Sequence, residues 1–394
     1  MAENKNLPVV MQILPALESG GVERGTIDLA KALKKENFEP IVVSSGGVLL
    51  HQLREAGVLH VVLPVASKNP ITIYRNINKI ISLIEQYKVD IIHVRSRAPM
   101  WSTYFACKKT KTKLVATVHG TYSVKFWKFN NFVIKRIYNS IMLKADRVIA
   151  VSNFIKTYIV QNYSKKNQEL PIEVLDKISV IQRGTDLNYF NLEKISKNRI
   201  INLVNSWNLP EDRKIIMLPA RFTAWKGHEF LIEALTKVKS DFFCVFVGSD
   251  HGHEIFREEL EEKIIKSELV GKVKIVGVCK DMPAAYAVSH LVISSSVRPE
   301  AFGRVAIEAQ ASSRVIIATK IGGSLETIID GKTGFLVEPN NSGELAKLID
   351  KVLAFSEEES SSFGKDARKH VEKNFSSQKM CSSTIQIYRE LLAS

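Results

Sequence analysis

The sequence predicts an α/β protein of two doubly wound, Rossmann-like domains that face each other across a cleft. Its length of 394 residues exceeds what one hydrophobic core usually organises, because a domain commonly has about 100 to 200 residues. In both halves, short apolar runs alternate with segments of helical periodicity, a pattern typical of parallel sheets covered by helices. Ligands of such sheets bind at the carboxyl ends of the strands, so two facing domains would place a ligand cleft between them.

The first half contains predicted strands at VVMQIL, PIVVSS, VDIIHV, KLVATVH and RVIAVS. The first of them is followed by the helix GVERGTIDLAKALKKEN, whose apolar residues Ile27, Leu29, Ala30 and Leu33 recur at helical spacing. The segment GTDLNYFNLEKISKNRI, residues 184–200, is polar and lacks a clear period, which favours a domain boundary. We therefore assign the first domain to residues 1–184.

The second half repeats this scheme. Strands are predicted at KIIMLPA, FFCVFVG, KVKIVG, LVISSS and RVIIAT, and helices at HEFLIEALTKV and MPAAYAVS. The stretch SEEESSSF, near residue 360, is expected to be an exposed loop. We assign the second domain to residues 185–376 and expect residues 377–394 to form a helix that crosses back to the first domain.

Basic residues are concentrated in the first half. The net charge of +14 lies within residues 1–185, and the basic excess is densest between Ile91 and Lys166, where Asp146 is the one acid. A one-sided basic surface predicts an anionic partner, such as nucleic acid, anionic lipid or a phosphorylated substrate. A solvated surface that serves solubility is the alternative.

The composition argues against several classes of protein. The four cysteines are far apart and contain no Cys-x-x-Cys pair, so neither a disulfide framework nor a zinc site is expected. No apolar stretch approaches the roughly 18 residues that a membrane-spanning helix needs, and the N-terminus does not resemble a signal peptide. We expect a cytoplasmic protein that is soluble or peripheral to the inner face of the cytoplasmic membrane, with no metal and no cofactor.

Two glutamates flank a donor-rich turn in RPEAFGRVAIE, which follows the strand HLVISSS. A helix is expected to begin at Arg304, so the amides of Phe302, Gly303 and Arg304 could donate to hydroxyls or to phosphate. Glu300 lies in the loop, and Glu308 in the helix can accept hydrogen bonds from vicinal hydroxyls. The pattern favours a site that binds a polyol and a phosphate. A helix-terminal acid beside an unrelated surface glutamate is the alternative.

Two further strand-to-helix loops carry groups suited to an anion. In ESGGVERG, Gly20 and Gly21 precede a helix, so their amides can approach an anion closely. In PARFTAWKG, Arg221 and Lys226 can neutralise a diphosphate leaving group. An ordinary tight turn and a pair of solvated charges are the respective alternatives. ESGGVERG lacks the Gly-x-Gly-x-x-Gly fingerprint of dinucleotide-binding sites. No Walker motif occurs, which argues against a P-loop NTPase.

Taken together, EAFGRVAIEAQA, ARFTAWKG, SGGVERG and IGGSLETIIDGKTGFLVEP resemble the retaining nucleotide-sugar glycosyltransferases of the GT-B fold, in the large family numbered four, the glycosyl transferases group 1. The resemblance covers nearly the whole chain. It implies that the second domain holds a UDP- or GDP-sugar and that the first holds the acceptor. It also implies front-face substitution without a metal, in which the leaving phosphate helps to deprotonate the acceptor.

The resemblance further implies roles for individual residues. The implied catalytic residues are Glu300, His119, Arg221 and Lys226. The implied donor-binding residues are Gly20, Gly21, Val278, Phe302, Gly303, Arg304 and Glu308. Arg221 and Lys226 would stabilise the departing nucleoside diphosphate, and Glu300 would lie against the donor sugar. Glu308 would hold the ribose.

The remaining implied contacts involve both domains. Gly21 would reach the diphosphate, and His119 would line the donor sugar pocket, although a lone histidine at that position could be structural. The backbone near Val278 would read the base. The chain departs from the family pattern at Arg95, where a second histidine is frequent, and at Arg183, where asparagine is usual. Acceptor identity is therefore less transferable than donor chemistry.

The segment SVKFWKFNNFVIKRIYNSIMLKADR mixes apolar and basic residues at helical spacing, as expected for a helix that lies on an anionic bilayer. A core helix with a solvated basic face is the alternative. The implied membrane or acceptor surface comprises Lys125, Trp127, Lys128, Lys135 and Arg136. The leading interpretation is transfer to a lipid-linked or membrane glycan, such as lipopolysaccharide core or a capsule precursor. A basic nucleic-acid-associated protein and a phosphorylase-like enzyme of the same fold are the alternatives.

Overall fold

The computed structural model describes residues 7–18, 20–121, 138–163, 170–250, 252 and 254–394. The chain divides into two compact units. Unit 1 comprises Met1–Arg183 and Ser377–Ser394, and unit 2 comprises Gly184–Ser376. The sequence-based limit after residue 184 lies one residue beyond this division, and the limit after residue 376 coincides with it.

Among the described residues of unit 1, seven parallel strands form one sheet in the order β3-β2-β1-β4-β5-β6-β7. These strands are β1 (Val9–Ile13), β2 (Glu39–Ser44), β3 (Leu59–Val62), β4 (Ile91–Val94), β5 (Lys113–Val118), β6 (Arg147–Ala150) and β7 (Ile178–Val180). Every residue of β4 is buried, as expected for a parallel strand with helices on both faces.

The helices of unit 1 follow the strands along the chain. Among the described residues they are α1 (Gly21–Lys35), α2 (Leu50–Glu55), α3 (Pro70–Tyr87), α4 (Arg97–Thr110), α5 (Asn153–Tyr163) and α6 (Ile172–Leu175), with a 3-10 turn at Ile141–Lys144. Helix α3 starts where the sequence favours a start, because the Asn69 side chain accepts from the Ile71 amide at 2.8 Å and Pro70 occupies the first helical position.

Unit 2 repeats the architecture with six parallel strands in the order β10-β9-β8-β11-β12-β13, counted over its described residues. They are β8 (Lys214–Pro219), β9 (Phe242–Val247), β10 (Val273–Gly277), β11 (Leu291–Ser294), β12 (Val315–Thr319) and β13 (Phe335–Val337). The predicted α/β class with two Rossmann-like parallel sheets is confirmed.

The helices of unit 2 are α7 (Lys197–Trp207), α8 (His228–Leu235), α9 (Glu254–Lys266), α10 (Met282–Val288), α11 (Arg304–Ala311), α12 (Ser324–Thr327), α13 (Ser342–Leu353) and α14 (Glu357–Asn374). Two 3-10 turns lie at Leu192–Lys194 and Ala224–Lys226. The segment expected to be a boundary belongs to this unit, since Phe190 is buried in its core.

The prediction of an exposed loop at SEEESSSF is wrong, because α14 begins in this stretch. The Ser356 hydroxyl accepts from the Glu359 amide at 3.1 Å, and the Glu359 carboxylate accepts from the Ser356 amide at 2.8 Å. This reciprocal capping box stabilises a helix start despite three consecutive serines. Further along α14, Ala367 and Val371 are buried, so packing of one face against unit 2 outweighs the polar composition of the other.

The C-terminal helix α15 (Ser377–Ala393) belongs to unit 1. Its buried residues Ile385, Tyr388 and Leu391 pack in one apolar cluster with Leu29 and Leu33 of α1. The last helix of the chain thus completes the core of unit 1, although the whole of unit 2 lies between it and the rest of unit 1 in the sequence.

Both sheets reverse their strand order in the middle. The reversal lies between β1 and β4 in unit 1 and between β8 and β11 in unit 2. In open α/β sheets, the crevice outside the carboxyl ends of the strands at such a reversal is where ligands bind. We call these two places the carboxyl edge of unit 1 and the carboxyl edge of unit 2.

The predicted membrane surface, Lys125, Trp127, Lys128, Lys135 and Arg136, falls within residues 122–137 and so lies outside the described residues. A search of the helices that the structure describes finds none that is both long enough and apolar enough to cross a bilayer.

Candidate active site

At the carboxyl edge of unit 2, the loop after β8 carries Arg221 and Lys226. The Phe222 side chain between them is buried, and its amide donates to the Ser249 carbonyl at 3.0 Å, which anchors the loop to the neighbouring connection. Arg221 is exposed next to this anchor. Lys226 ends the 3-10 turn, and its ammonium lies 4.4 Å from the centre of the Trp225 ring. Both cations are therefore held at the edge by a short, fixed loop.

Gly227 allows this loop to touch the end of β11 directly. It has a φ of 73°, and a Cβ added there would lie 1.8 Å from the Ser295 carbonyl oxygen. The Ser295 hydroxyl donates to the Gly227 carbonyl at 2.9 Å. Only glycine permits both the left-handed backbone and the close approach at this position.

Glu300, in the loop after β11, forms an ion pair with Lys226. The Lys226 Nζ to Glu300 Oε1 distance is 2.7 Å, and the two side chains are only 12% and 14% exposed. The Ser296 hydroxyl also donates to Glu300 Oε1. Burial alone would raise the pKa of Glu300, but Lys226, Ser296 and Arg221 together outweigh it and hold that pKa below its usual value. The carboxylate is therefore charged and fixed in position.

A glycine pair after β12 supports the backbone around Glu300. A Cβ on Gly322 would lie 2.5 Å from the Glu300 carbonyl oxygen, and a Cβ on Gly323 would lie 2.3 Å from Phe302 Cα. The Gly323 amide donates to the Glu300 carbonyl at 2.9 Å. The sequence reasoning quoted this segment but assigned no role to Gly322, Gly323 or Ser296. A Gly-Gly pair in the loop after a predicted strand was the available signal.

The predicted start of a helix at Arg304 is confirmed by α11. Gly303 precedes it with a φ of 82°, and Phe302 is buried against Phe375. Arg304 Nη2 lies 2.6 Å from Glu308 Oε1. The Tyr286 hydroxyl donates to Glu308 Oε2 at 3.3 Å. Glu308 thus faces the edge with its carboxylate oriented from two sides.

Val278 follows β10 and is 68% exposed. The carbonyl of the preceding Gly277 accepts from the Gly248 amide at 2.7 Å, so the strand end beside Val278 is fixed. Its predicted role in reading a base through the backbone stays a prediction.

At the carboxyl edge of unit 1, Arg183 joins the predicted residues Gly21 and His119. Its guanidinium donates to the Gly21 carbonyl and, at 2.9 Å, to His119 Nδ1. Because a guanidinium only donates, Nδ1 accepts and the proton of the neutral ring lies on Nε2. Burial, with the charges of Arg183 and Arg95, lowers the pKa of His119 well below its usual value. Gly20 caps α1 in an extended conformation.

The second arginine at this edge, Arg95, follows β4 and is 4% exposed. Its amide donates to the Ile13 carbonyl at 2.9 Å, and its Nη1 donates to Gln12 Oε1 at 3.0 Å. Gln12 in turn donates to the Thr26 carbonyl of α1 at 3.0 Å. Sequence reasoning missed Gln12, because a glutamine within an apolar strand gave no sign that its amide faces a buried arginine.

His93 of β4 links this edge to the C-terminal helix. Its ring nitrogens lie 2.5 Å from the Tyr388 hydroxyl and 2.6 Å from the Thr117 hydroxyl. Burial, assisted by Arg95, lowers the pKa of His93 well below its usual value. The ring is therefore a neutral structural link between two strands and α15.

Comparison with known proteins assigns the family. Residues 19–189 match the model of Glycosyltransferase Family 4, and residues 200–370 match that of Glycosyl transferases group 1. A glycosyltransferase from Rickettsia africae ESF-5, known from its crystal structure, is 41% identical, with a TM-score of 0.87 over 98% of this chain and 99% of that one. The two parallel sheets are thus those of a GT-B glycosyltransferase. The chain belongs to the group 1 glycosyltransferases and is a transferase enzyme.

Two more distant relatives share the whole length of the chain. The capsular polysaccharide biosynthesis glycosyltransferase CapM of Staphylococcus aureus is 26% identical over 97% of each chain. The Anabaena protein HepE, determined in complex with UDP and glucose, is 21% identical, with a TM-score of 0.82 over 97% of this chain and 100% of that one.

Proposed function

We propose that the protein transfers a sugar from a UDP- or GDP-sugar to a lipid-linked or membrane glycan, and that the anomeric configuration is retained. The observation that carries the proposal is the Lys226–Glu300 ion pair at the carboxyl edge of unit 2, with Arg221 beside it. A fixed carboxylate next to two cations suits a reaction in which positive charge develops on a sugar while negative charge develops on a diphosphate. The HepE complex with UDP and glucose supports the donor class, and CapM supports an envelope polysaccharide as product.

In this mechanism the bond between the anomeric carbon and the diphosphate breaks as the acceptor oxygen attacks from the same face. Lys226 and Arg221 stabilise the leaving diphosphate, which takes the proton of the acceptor hydroxyl. Glu300 lies against the sugar ring, where its negative charge stabilises an oxocarbenium-like state. Glu308, oriented by Arg304 and Tyr286, accepts from the two ribose hydroxyls.

A thermal-shift panel of UDP, GDP and their sugars tests the donor assignment. Binding to the folded state raises the unfolding free energy by about 2.7 kcal/mol at a ligand concentration of 100 times Kd, so one of the two nucleotides should shift the midpoint clearly. Glu308→Ala should weaken that nucleotide by about tenfold or more, because hydrogen bonds to charged groups are worth about 1.5 to 3 kcal/mol. Glu259→Ala, which removes an exposed glutamate of α9, should bind as the wild type does. No shift with any nucleotide would overturn the proposal.

A further inference from the structure

The carboxyl edge of unit 1 contains two buried guanidinium groups. Arg95 is 4% exposed and Arg183 is 6% exposed. In the family pattern that the sequence resembles, these positions are more often histidine and asparagine respectively. Arginines that reach the interior normally meet a carboxylate or another anion, because burial of an unpaired charge is unfavourable.

The contacts of Arg95 do not meet that requirement. Its side chain donates to the neutral Gln12 amide oxygen at 3.0 Å, and its Nε has no hydrogen-bond partner among the residues described. No carboxylate of the described residues forms an ion pair with Arg95. A buried charge without a partner is costly, as shown by the strong destabilisation that follows when one partner of a buried charge pair is removed. Burial lowers the pKa of Arg95, because it outweighs the carboxylates of Asp28 and Glu23, which favour the charged form. Arg95 therefore retains an unused donor at Nε and a charge that burial disfavours.

The two guanidinium groups lie over the same residue of α1. A Cβ added to Gly25 would lie 2.8 Å from Arg183 Nη2 and 3.3 Å from Arg95 Nη2. Gly25 is buried, and its missing side chain leaves the space that both groups occupy. Two like charges are thus brought together, an arrangement that repels unless an anion lies between or beside them.

The surroundings of the arginine pair add a positive helix dipole and a further hydrogen-bond donor. Arg183 lies against Gly21, at the start of the 15-residue helix α1, where the helix dipole is positive. His119 accepts from Arg183 with Nδ1, so its Nε2 carries a proton and acts as a donor. The edge combines two forked guanidinium groups, a neutral imidazole N–H and a helix start.

We propose that Arg95 and Arg183, with His119 beside them, form a receptor for an oxyanion, a phosphate or a carboxylate, on the acceptor that unit 1 binds. The planar fork of each guanidinium matches two oxygens of such a group. The proposal rests on the proposed function, in which unit 1 holds the acceptor, and it defines that acceptor as an acidic glycan or a phosphorylated glycolipid.

Calorimetric titration of the full chain with inorganic phosphate and with glucuronate, at constant ionic strength, tests the receptor, and glucose serves as the neutral control. The variant combines Arg95→His with Arg183→Asn, which introduces the residues usual in the family and should fold. Because charge-assisted hydrogen bonds are worth about 1.5 to 3 kcal/mol, the affinity of the variant for either anion should fall by about tenfold or more. Arg75→Gln, which removes an exposed charge of α3, should leave both affinities unchanged.

Equal anion affinity in the wild type and the double variant, or no anion binding to the wild type, would overturn the receptor. If the double variant does not fold, the anion affinity of the single variant Arg183→Asn is compared with that of the wild type instead. Its midpoint of thermal unfolding is recorded to show that it is folded. Saturating UDP should leave phosphate affinity unchanged, whereas displacement by UDP would assign the oxyanion to the donor diphosphate and overturn the acceptor assignment. Failure of UDP to bind the wild type would count against the proposed function alone, since the anion titrations do not depend on it.

Discussion

The two units share one topology but differ in how charge is balanced at the carboxyl edge. In unit 2, Lys226 is 2.7 Å from Glu300, and Arg304 is 2.6 Å from Glu308. In unit 1, the one side-chain bond of Arg95 to the described residues goes to the uncharged Gln12. A strand-order reversal thus provides the place for a ligand, and the residues after each strand decide what the place can bind.

This difference has a physical consequence for each edge. At the edge of unit 2, the ion pairs Lys226–Glu300 and Arg304–Glu308 fix both carboxylates and two of the cations before any ligand binds. Such fixed charges are what preorganised electrostatic stabilisation requires. The edge of unit 1 brings two guanidinium groups together beside a neutral His119, an arrangement that favours an anion as ligand. Under the two proposals above, the edge of unit 2 serves turnover and the edge of unit 1 serves recognition.

The largest expected effect comes from breaking the balanced pair of unit 2. Glu300→Gln and Lys226→Ala should each lower turnover by about a hundredfold or more, as when one preorganised electrostatic contact is removed. Each change also leaves the other charge of the pair without its partner. The rate of nucleoside diphosphate release from the sugar nucleotide that binds best measures this effect.

Glu259→Gln, on the exposed face of α9, is the matched control and should retain wild-type turnover. Turnover that survives in both pair variants would mean that the ion pair is structural. The unfolding midpoint of each variant must be close to that of the wild type for the comparison to concern catalysis.

The next effect concerns the glycines that shape the two edges. Gly227→Ala should lower the free energy of unfolding by about 2 to 4 kcal/mol, because a positive φ and overpacking are both unfavourable. Its Cβ would lie 1.8 Å from the rigid Ser295 carbonyl. The Cβ of Gly25→Ala would meet the far ends of two long arginine side chains and no backbone atom, so stability should change by less than about 1 kcal/mol. Urea unfolding followed by circular dichroism measures both changes.

Gly25→Ala should nevertheless weaken phosphate binding, because its methyl group takes the space of the Arg183 and Arg95 Nη2 atoms. Loss of stability without loss of phosphate affinity would show that the arginines do not share a ligand over Gly25. A small effect of Gly227→Ala would mean that the loop of Lys226 can move away from β11.

Local sequence patterns predicted ten of the thirteen strands found among the described residues, because buried parallel strands are continuous apolar runs. They missed β3, β7 and β13, which have only four, three and three residues. The helix predicted from Arg304 onward is α11.

The pairing of Lys226 with Glu300 was not predictable from spacing, since 74 residues separate them. The helix start at Ser356 was not predicted, because the serine-rich and acidic composition of SEEESSSF favoured a loop, whereas Ser356 and Glu359 form a capping box. The burial of Arg95 depends on Gln12 and Gly25, which only the folded chain brings together.

The remaining expected effect is a pH dependence of stability that both units share. In unit 2, His228 is fully buried among aromatic rings, and neither ring nitrogen has a hydrogen-bond partner within the described residues. Burial, with a contribution from Lys226, lowers the pKa of His228 to about 3. In unit 1, burial lowers the pKa of His93 and of His119. Unfolded histidines titrate near a pKa of about 6.5.

The unfolded state therefore binds more protons than the folded state below pH about 6.5, so lowering the pH favours unfolding. Each such histidine contributes a loss of up to about 1.4 kcal/mol per pH unit, which for His228 continues down to pH about 3. His228→Leu should remove this share of the slope in urea unfolding between pH 6 and 4.5, and an apolar group in an apolar cage should keep or raise stability at pH 7. His51→Gln, an exposed change on α2, should keep the wild-type slope. An unchanged slope in His228→Leu would mean that the cage opens to water before the chain unfolds, and the comparison of the two units would then rest on the charges at their edges alone.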